Sequence, residues 1–288
     1  LADARASALA EELKEGGWLF PSLRKGAVVG EGANRYKLVS ELGRGGMAVV
    51  WKGVHEKSGE EVAIKFLTDL SNAARFRREA RALERAAKAS DRIVGFRDFQ
   101  FQVSPRCTVM FLAMELLAGT SLQDFLEEKK KFSADEIMGW LEDALSGLKA
   151  VHQIGGLHRD LKPSNLMFDG EGRIKVGDLG LVGAGEEQAG NSDLLTTDGL
   201  TQVGAPIGTY PFCSPEQLNT GDGKTAMDGR SDIFSLGASF YYLLTGVLPY
   251  GTQQEIGKQH YKALNEQSGG PEPIASLRQD IPKSLSEL

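Results

Sequence analysis

Between Tyr36 and Leu67 the chain alternates short β-branched and aromatic runs with glycine-rich or charged turns. YKLVSEL, MAVVWKGVH and EEVAIKFL read as three consecutive antiparallel strands, because branched side chains suit a pleated, half-buried surface. The period then changes. In NAARFRREARALERAAKA, Phe76, Ala80, Leu83 and Ala87 fall at i, i+4, i+7 and i+11, the spacing of one helical face. Two further strands follow, IVGFRDFQF and CTVMFLAMEL. After Gly119 the pattern turns helical: SLQDFLEEKK, then SADEIMGWLEDALSGLKAVHQIG, where Ser133 and Glu136 have the spacing of a capping box. A strand-rich lobe with one helix, followed by a helix-rich lobe joined near 115–119, is an α+β arrangement with a cleft at the join.

Three stretches need separate treatment. Residues 2–15, ADARASALAEELKE, are rich in helix formers and stop at Gly16-Gly17; they read as a helical extension, either a docking helix or a segment with no set role. Residues 181–208 have no period and many Gly, Thr, Asp and Gln; loops of that length are functional or disordered. IFSLGASFYYLLTGVLPY (233–250) carries no charge and approaches membrane-spanning length. Its Ser, Gly, Thr and Pro within a globular pattern favour a buried core helix.

Composition narrows the function classes. Apolar content of 41% and charged content of 25% suit a globular chain, and the length suits one large or two-lobed domain. A net charge of −6 argues against nucleic acid as the main partner. The basic run RFRREARALER is balanced by its own glutamates and reads as a salt-bridged helix. Cys107 and Cys213, the only cysteines, are too few for a disulfide framework or a zinc site, which points to a reducing, cytoplasmic setting. No secretory h-region stands near the start. The opening Leu and the stop at IPKSLSEL suggest a fragment.

The chemistry concentrates in LHRDLKPSNLMF (157–168). Asp160, Lys162 and Asn165 surround Pro163, and apolar residues close both ends, which predicts a short ordered loop between two strands. A solvated loop needs no such set, whereas a site that deprotonates a hydroxyl, neutralises a phosphate and holds a metal ion needs all three groups. With the motifs on either side, the chain from about Tyr36 to Tyr250 resembles the Hanks-type serine/threonine protein kinases common in bacteria.

That resemblance implies a two-lobed kinase fold: a strand-rich N-lobe with one helix over about 35–114, a hinge at 115–119 and a helical C-lobe over 120–288, truncated at its C-terminal end. Residues 1–34 would be an N-terminal extension. Gly43 and Gly45 in ELGRGGMAVVWKG would cover the phosphates of ATP, with Ala48 where the family has a third glycine. Val50 and Ala63 would cover the adenine, with Met167 below it and Met114 guarding the back of the pocket. The backbone from Glu115 to Leu117 would offer it hydrogen bonds. Lys65 would hold the α/β-phosphates and pair with Glu79 in FRREA, with Glu84 as the alternative partner. Asp160 would receive the substrate hydroxyl proton, Lys162 would screen the transferring phosphoryl, and Asn165 and Asp178 would bind Mg²⁺.

His158 reads as a packed histidine, and Leu179, where the family usually has Phe, as a packing residue. Thr209 would shape the acceptor site, and Ser214-Pro215-Glu216 stands for the family's Ala-Pro-Glu. Asp232 would cap the catalytic-loop backbone. Thr201, then Thr196 or Thr197, would be phosphorylated and gripped by Arg159. The implied partners are protein substrates bearing Ser or Thr, ATP, and a second copy met transiently for autophosphorylation; no membrane span is expected in this chain. An active kinase ranks ahead of a pseudokinase scaffold, because Lys65, Glu79, Asp160, Asn165 and Asp178 are all present. A small-molecule phosphotransferase ranks third, because those enzymes generally lack Lys-Pro after the aspartate and the 209–216 segment.

Overall fold

The computed structural model describes residues 23–104, 107–117, 119–130, 132–179, 210–218, 227–250 and 271–281. The expected helix at 2–15, the 181–208 segment with Thr196, Thr197 and Thr201, and Thr209 lie outside the described residues. Two compact units result: residues to Arg81 with Gly95–Leu116, and Ala82–Val94 with the chain from Leu117.

In the first unit, β1 (Val28–Val29), β2 (Tyr36–Arg44), β3 (Ala48–His55), β4 (Glu61–Leu67), β5 (Phe96–Ser104) and β6 (Cys107–Glu115) form one sheet in the order β1-β2-β3-β4-β6-β5. Every pairing is antiparallel. The five longer strands fall where the alternation predicts them. β1 was not predicted, because two residues carry no period; it exists only through its pairing with Tyr36 and Lys37.

Alternation divides this sheet into two faces. Tyr36, Leu38, Val49, Trp51, Val62, Ile64, Phe66, Phe111 and Ala113 form a buried cluster, against which Leu23, Ala27 and Val29 pack. Val50 pairs with Lys65, and Ala63 with Met114, so these four residues share the opposite face. Helix α1 (Ala73–Ala89) brings Phe76 to 6.0 Å from Phe99. Phe76, Ala80 and Leu83 are buried as the period predicts, but Ala86, not Ala87, completes the set. The buried face is turned toward Glu79 and Ala82, both buried as well.

The second unit is built on α2 (Leu122–Glu127), α3 (Ala134–Gln153), the hairpin β7–β8 (Leu166–Phe168 and Ile174–Val176), α4 (Pro215–Leu218), α5 (Gly229–Thr245) and α6 (Ile274–Leu277). The expected capping box opens α3: Ser133 N donates to Glu136 Oε2 at 2.8 Å, and Glu136 N donates to Ser133 Oγ at 3.3 Å. α3 lies so close to β8 that a Cβ on Gly147 would sit 2.7 Å from both the Arg92 carbonyl oxygen and Val176 Cγ2. Phe125, Phe132, Trp140 and Phe168 stack around one another, with Phe168 ring centroids 4.7 Å from Phe125 and 5.1 Å from Trp140. These rings fix β7, and with it the loop before it, against α2 and α3.

The 233–250 stretch supplies most of α5, capped by Asp228 at its start and by Gly246 (φ 71°) at its end. Leu236, Ala238, Ser239 and Phe240 are buried in it. Among the described residues no helix is long and apolar enough to cross a membrane. The loop 157–168 differs from expectation on its N-terminal side. α3, not a strand, precedes it, and Pro163–Asn165 forms a 3₁₀ turn that runs into β7. Leu157 is the single apolar residue before the charged group, too little to sustain a strand.

Candidate active site

The first unit positions a lysine. Lys65 lies on β4 between Ile64 and Phe66, both fully buried on the core face, so its own side chain emerges on the face of Val50, Ala63 and Met114. Its Nζ meets Glu79 Oε1 at 2.6 Å, with the two side chains only 16% and 7% exposed. A carboxylate this buried needs a cation, which is why Glu79 is tolerated on the inner face of α1. Glu84, the alternative partner, pairs with Lys88 at 2.7 Å instead.

Gly43 lies near the end of β2, paired with Val50, and Gly45 lies in the turn to β3, where its N–H donates to the Ala48 carbonyl at 2.8 Å. A Cβ on Gly43 would meet nothing within 4 Å, so packing inside the chain does not demand glycine there. Glu115 N donates to the Gly95 carbonyl at 2.7 Å, and Glu115 Oε2 accepts from Gly95 N at 2.9 Å. That amide is therefore not the one to meet a base. Leu117, two residues on, is buried.

The second unit positions the acid–base and metal-binding candidates. Asp232, at the start of α5 and 1% exposed, accepts from Arg159 N on Oδ1 (2.8 Å) and from His158 N on Oδ2 (2.9 Å), as the sequence predicts. His152 Nε2 lies 2.8 Å from Oδ2. Burial disfavours the charged form of Asp232, but the bonds from His152, Arg159 and His158 outweigh it and hold the carboxyl below the usual range. His158 is fully buried and bonds the Gly177 carbonyl through Nε2 at 3.0 Å; it is a packing histidine, as expected.

Two non-glycine residues of this region, Arg159 (φ 64°) and Asp178 (φ 52°), hold left-handed backbone, an uncommon state that aims the residues around them. Lys162 Nζ donates to Asp160 Oδ2 at 2.8 Å. Asp160 Oδ1 is buried with no hydrogen-bond partner among the described residues. Asn165 Nδ2 donates to the Asp160 carbonyl at 2.7 Å, so Oδ1 is the atom that could hold a cation. Asp178 is exposed, and Leu179 beside it is buried at 1%. Met167 is half-buried on β7 while its neighbours Leu166 and Phe168 face the core.

The structure brings together Asp160, Lys162 and Asn165 in one unit, and Lys65 with Glu79 in the other. One residue escaped the sequence reading. Gln217 donates from Nε2 to the Arg159 carbonyl at 2.7 Å. Its Oε1 accepts from Ser214 N (2.9 Å) and Ser214 Oγ (3.1 Å). The S-P-E-Q spacing of a capping box was the available signal. Glu216 accepts from the Ser231 hydroxyl. Cys213 is a buried thiol whose pKa is pushed up to about 12, by burial first and then by the charge of Asp160.

A lysine–glutamate pair thus lies on a sheet face of one unit, and an aspartate, a lysine and an asparagine gather in one loop of the other. The sequence matches the protein kinase domain family over residues 36–286, and the chain belongs to that family. It is similar to a probable serine/threonine-protein kinase of Clostridium acetobutylicum, 31% identical over 89% of this chain and 36% of that protein. The probable serine/threonine-protein kinase PknB of Corynebacterium glutamicum is 35% identical over 85% of this chain and 36% of its own length. The serine/threonine-protein kinase PknL of Mycobacterium tuberculosis is 31% identical over 75% and 51%. The chain thus spans about a third to a half of the length of these relatives.

Proposed function

We propose that this domain transfers the γ-phosphoryl group of ATP to serine or threonine hydroxyls of proteins. One observation carries the reading: a buried carboxylate oxygen, Asp160 Oδ1, without a hydrogen-bond partner among the described residues, beside an Oδ2 held by Lys162. An unpaired buried carboxylate oxygen is costly, and a hydroxyl proton is what it would receive. The substrate oxygen attacks the γ-phosphorus, its proton passes to Asp160, and the bond from phosphorus to the bridging oxygen breaks to release ADP. Lys162 screens the charge on the transferring group, and Lys65, oriented by Glu79, binds the α/β-phosphates.

Val50, Ala63 and Met114, which share one face of the sheet, would cover the adenine, with hydrogen bonds from the backbone of 115–117. Gly43 and Gly45 would let the backbone approach the phosphates without a Cβ in the way. Asn165 Oδ1 and the Asp178 carboxylate are hard oxygen donors and fit Mg²⁺, which keeps phosphate and water oxygens as its other ligands. When bound, the ion would neutralise phosphate charge. The two-cysteine composition favours a reducing, cytoplasmic setting, and autophosphorylation would need a passing encounter between two copies.

Incubation of the chain with Mg-ATP and casein, followed by intact-mass measurement of both proteins, tests the reading. Whole phosphoryl increments on either protein are expected. ATP binding with no increment on either would instead favour a nucleotide-binding scaffold.

A further inference from the structure

Asp160 follows a residue in a conformation that arginine rarely adopts. Arg159 has φ 64°, where an L side chain crowds its own backbone, so something must hold it there. Its N–H is held by Asp232 Oδ1 at 2.8 Å. Its carbonyl, which belongs to the peptide unit leading into Asp160, is held by Gln217 Nε2 at 2.7 Å. Gln217 is 9% exposed, and Ser214, fully buried, fixes the orientation of its amide by donating twice to Oε1. With the oxygen committed to Ser214, the NH₂ group must face Arg159.

We infer that Gln217 is a positioning residue for phosphotransfer: with Asp232 it clamps the left-handed Arg159 backbone from the carbonyl side and thereby aims the Asp160 carboxylate. The inference rests on the kinase reading above. It also accounts for the serine in Ser214-Pro215-Glu216 where the family has alanine. The Ser214 N–H and hydroxyl both donate to Gln217 Oε1, and an amide at 217 can accept there while its NH₂ donates to Arg159. Without the donor, the peptide unit between Arg159 and Asp160 can rotate toward ordinary backbone values and carry the carboxylate with it. Displacements of that kind are felt in the rate and not in nucleotide binding.

Gln217→Glu separates this role from general stability, because glutamate still accepts from Ser214 but offers no donor to Arg159 at neutral pH. A loss of about tenfold in kcat on casein is expected, from one buried hydrogen bond replaced by an unsatisfied carbonyl. KM for ATP should stay within about twofold, since no group proposed to touch ATP has changed. Hydrogen exchange of the amides at 158–160 should speed up about fivefold or more, with α3 unchanged.

Wild-type kcat together with wild-type exchange at 158–160 would overturn the inference. So would a fall in kcat accompanied by a matching rise in KM and faster exchange throughout α3, which is general loosening. If the wild-type chain itself transfers no phosphate, the exchange measurement still decides the clamp, and the failure belongs to the kinase reading alone.

Discussion

At the scale of single residues, the two acidic groups proposed for the chemistry differ in ways that predict different phenotypes. Asp160 is largely buried, with one oxygen held by Lys162 and the other without a partner among the described residues. Asp178 is exposed, on left-handed backbone. Asp160→Asn should therefore keep ATP affinity and lower kcat by about 10²–10⁴, the usual worth of a general base. Asp178→Asn should weaken Mg-ATP binding as well, since an amide is a poorer ligand for a hard cation. Calorimetric titration with Mg-ATP beside single-turnover rates separates the two; equal affinities and equal residual rates would refute the division. Cys213 gives a second residue-level expectation. Burial and the nearby Asp160 charge push its thiol up to about 12, so it stays protonated at neutral pH. It should resist iodoacetamide in the folded chain and react once urea unfolds it, as intact mass would show.

At the scale of elements, the sheet separates packing from binding by face. Ile64 and Phe66 belong to the buried cluster, whereas Ala63 and Lys65 do not. Ala63→Phe should accordingly abolish detectable ATP binding by filling the adenine side, while the melting temperature stays near that of the wild type because the core face is untouched. Normal ATP affinity in that variant would mean the nucleotide is placed wrongly. The contact of α3 with β8 works in the other direction. Gly147 allows a helix-to-strand approach that any Cβ would block, with the Arg92 carbonyl and Val176 both at 2.7 Å. Gly147→Ala should cost about 1–3 kcal/mol by overpacking, despite its better helix propensity. Urea denaturation measures this, and a stabilised variant would contradict the close packing.

At the scale of the whole molecule, pH dependence of stability should centre on Asp232, which ties α5 to α3 through His152 and to the loop 157–168 through two backbone amides. Its folded pKa lies below the ordinary carboxylate value, against the effect of burial and because of those bonds. An unfolded aspartate titrates near about 3.9. A lowered folded pKa means that the stabilisation is complete above that value and is lost as pH falls through the folded pKa. The stability difference between wild type and Asp232→Asn should be roughly 1–3 kcal/mol at pH 7, from a buried amide left without an acceptor. It should shrink below about pH 4, measured by urea denaturation across the pH range. A difference that grows on acidification would reverse the assignment.

The sequence by itself determined the order and type of the longer elements, because strand alternation, helical period and capping chemistry are local. It also pointed to Lys65, Asp160, Lys162, Asn165 and Asp178, through the resemblance of short motifs around each. Tertiary structure alone decided what joins those motifs. Glu79 and Glu84 were both open to Lys65 until α1 settled with Glu79 inward and Glu84 beside Lys88. β1 formed only because β2 offered an edge. The loop at 157–168 took its shape from Asp232, 73 and 74 residues further on, and from Gln217, 58 residues beyond Arg159. No period or turn signal reaches across such separations. A left-handed arginine is unfavourable on its own. Here it is held by hydrogen bonds from elements that the chain brings alongside only when it folds.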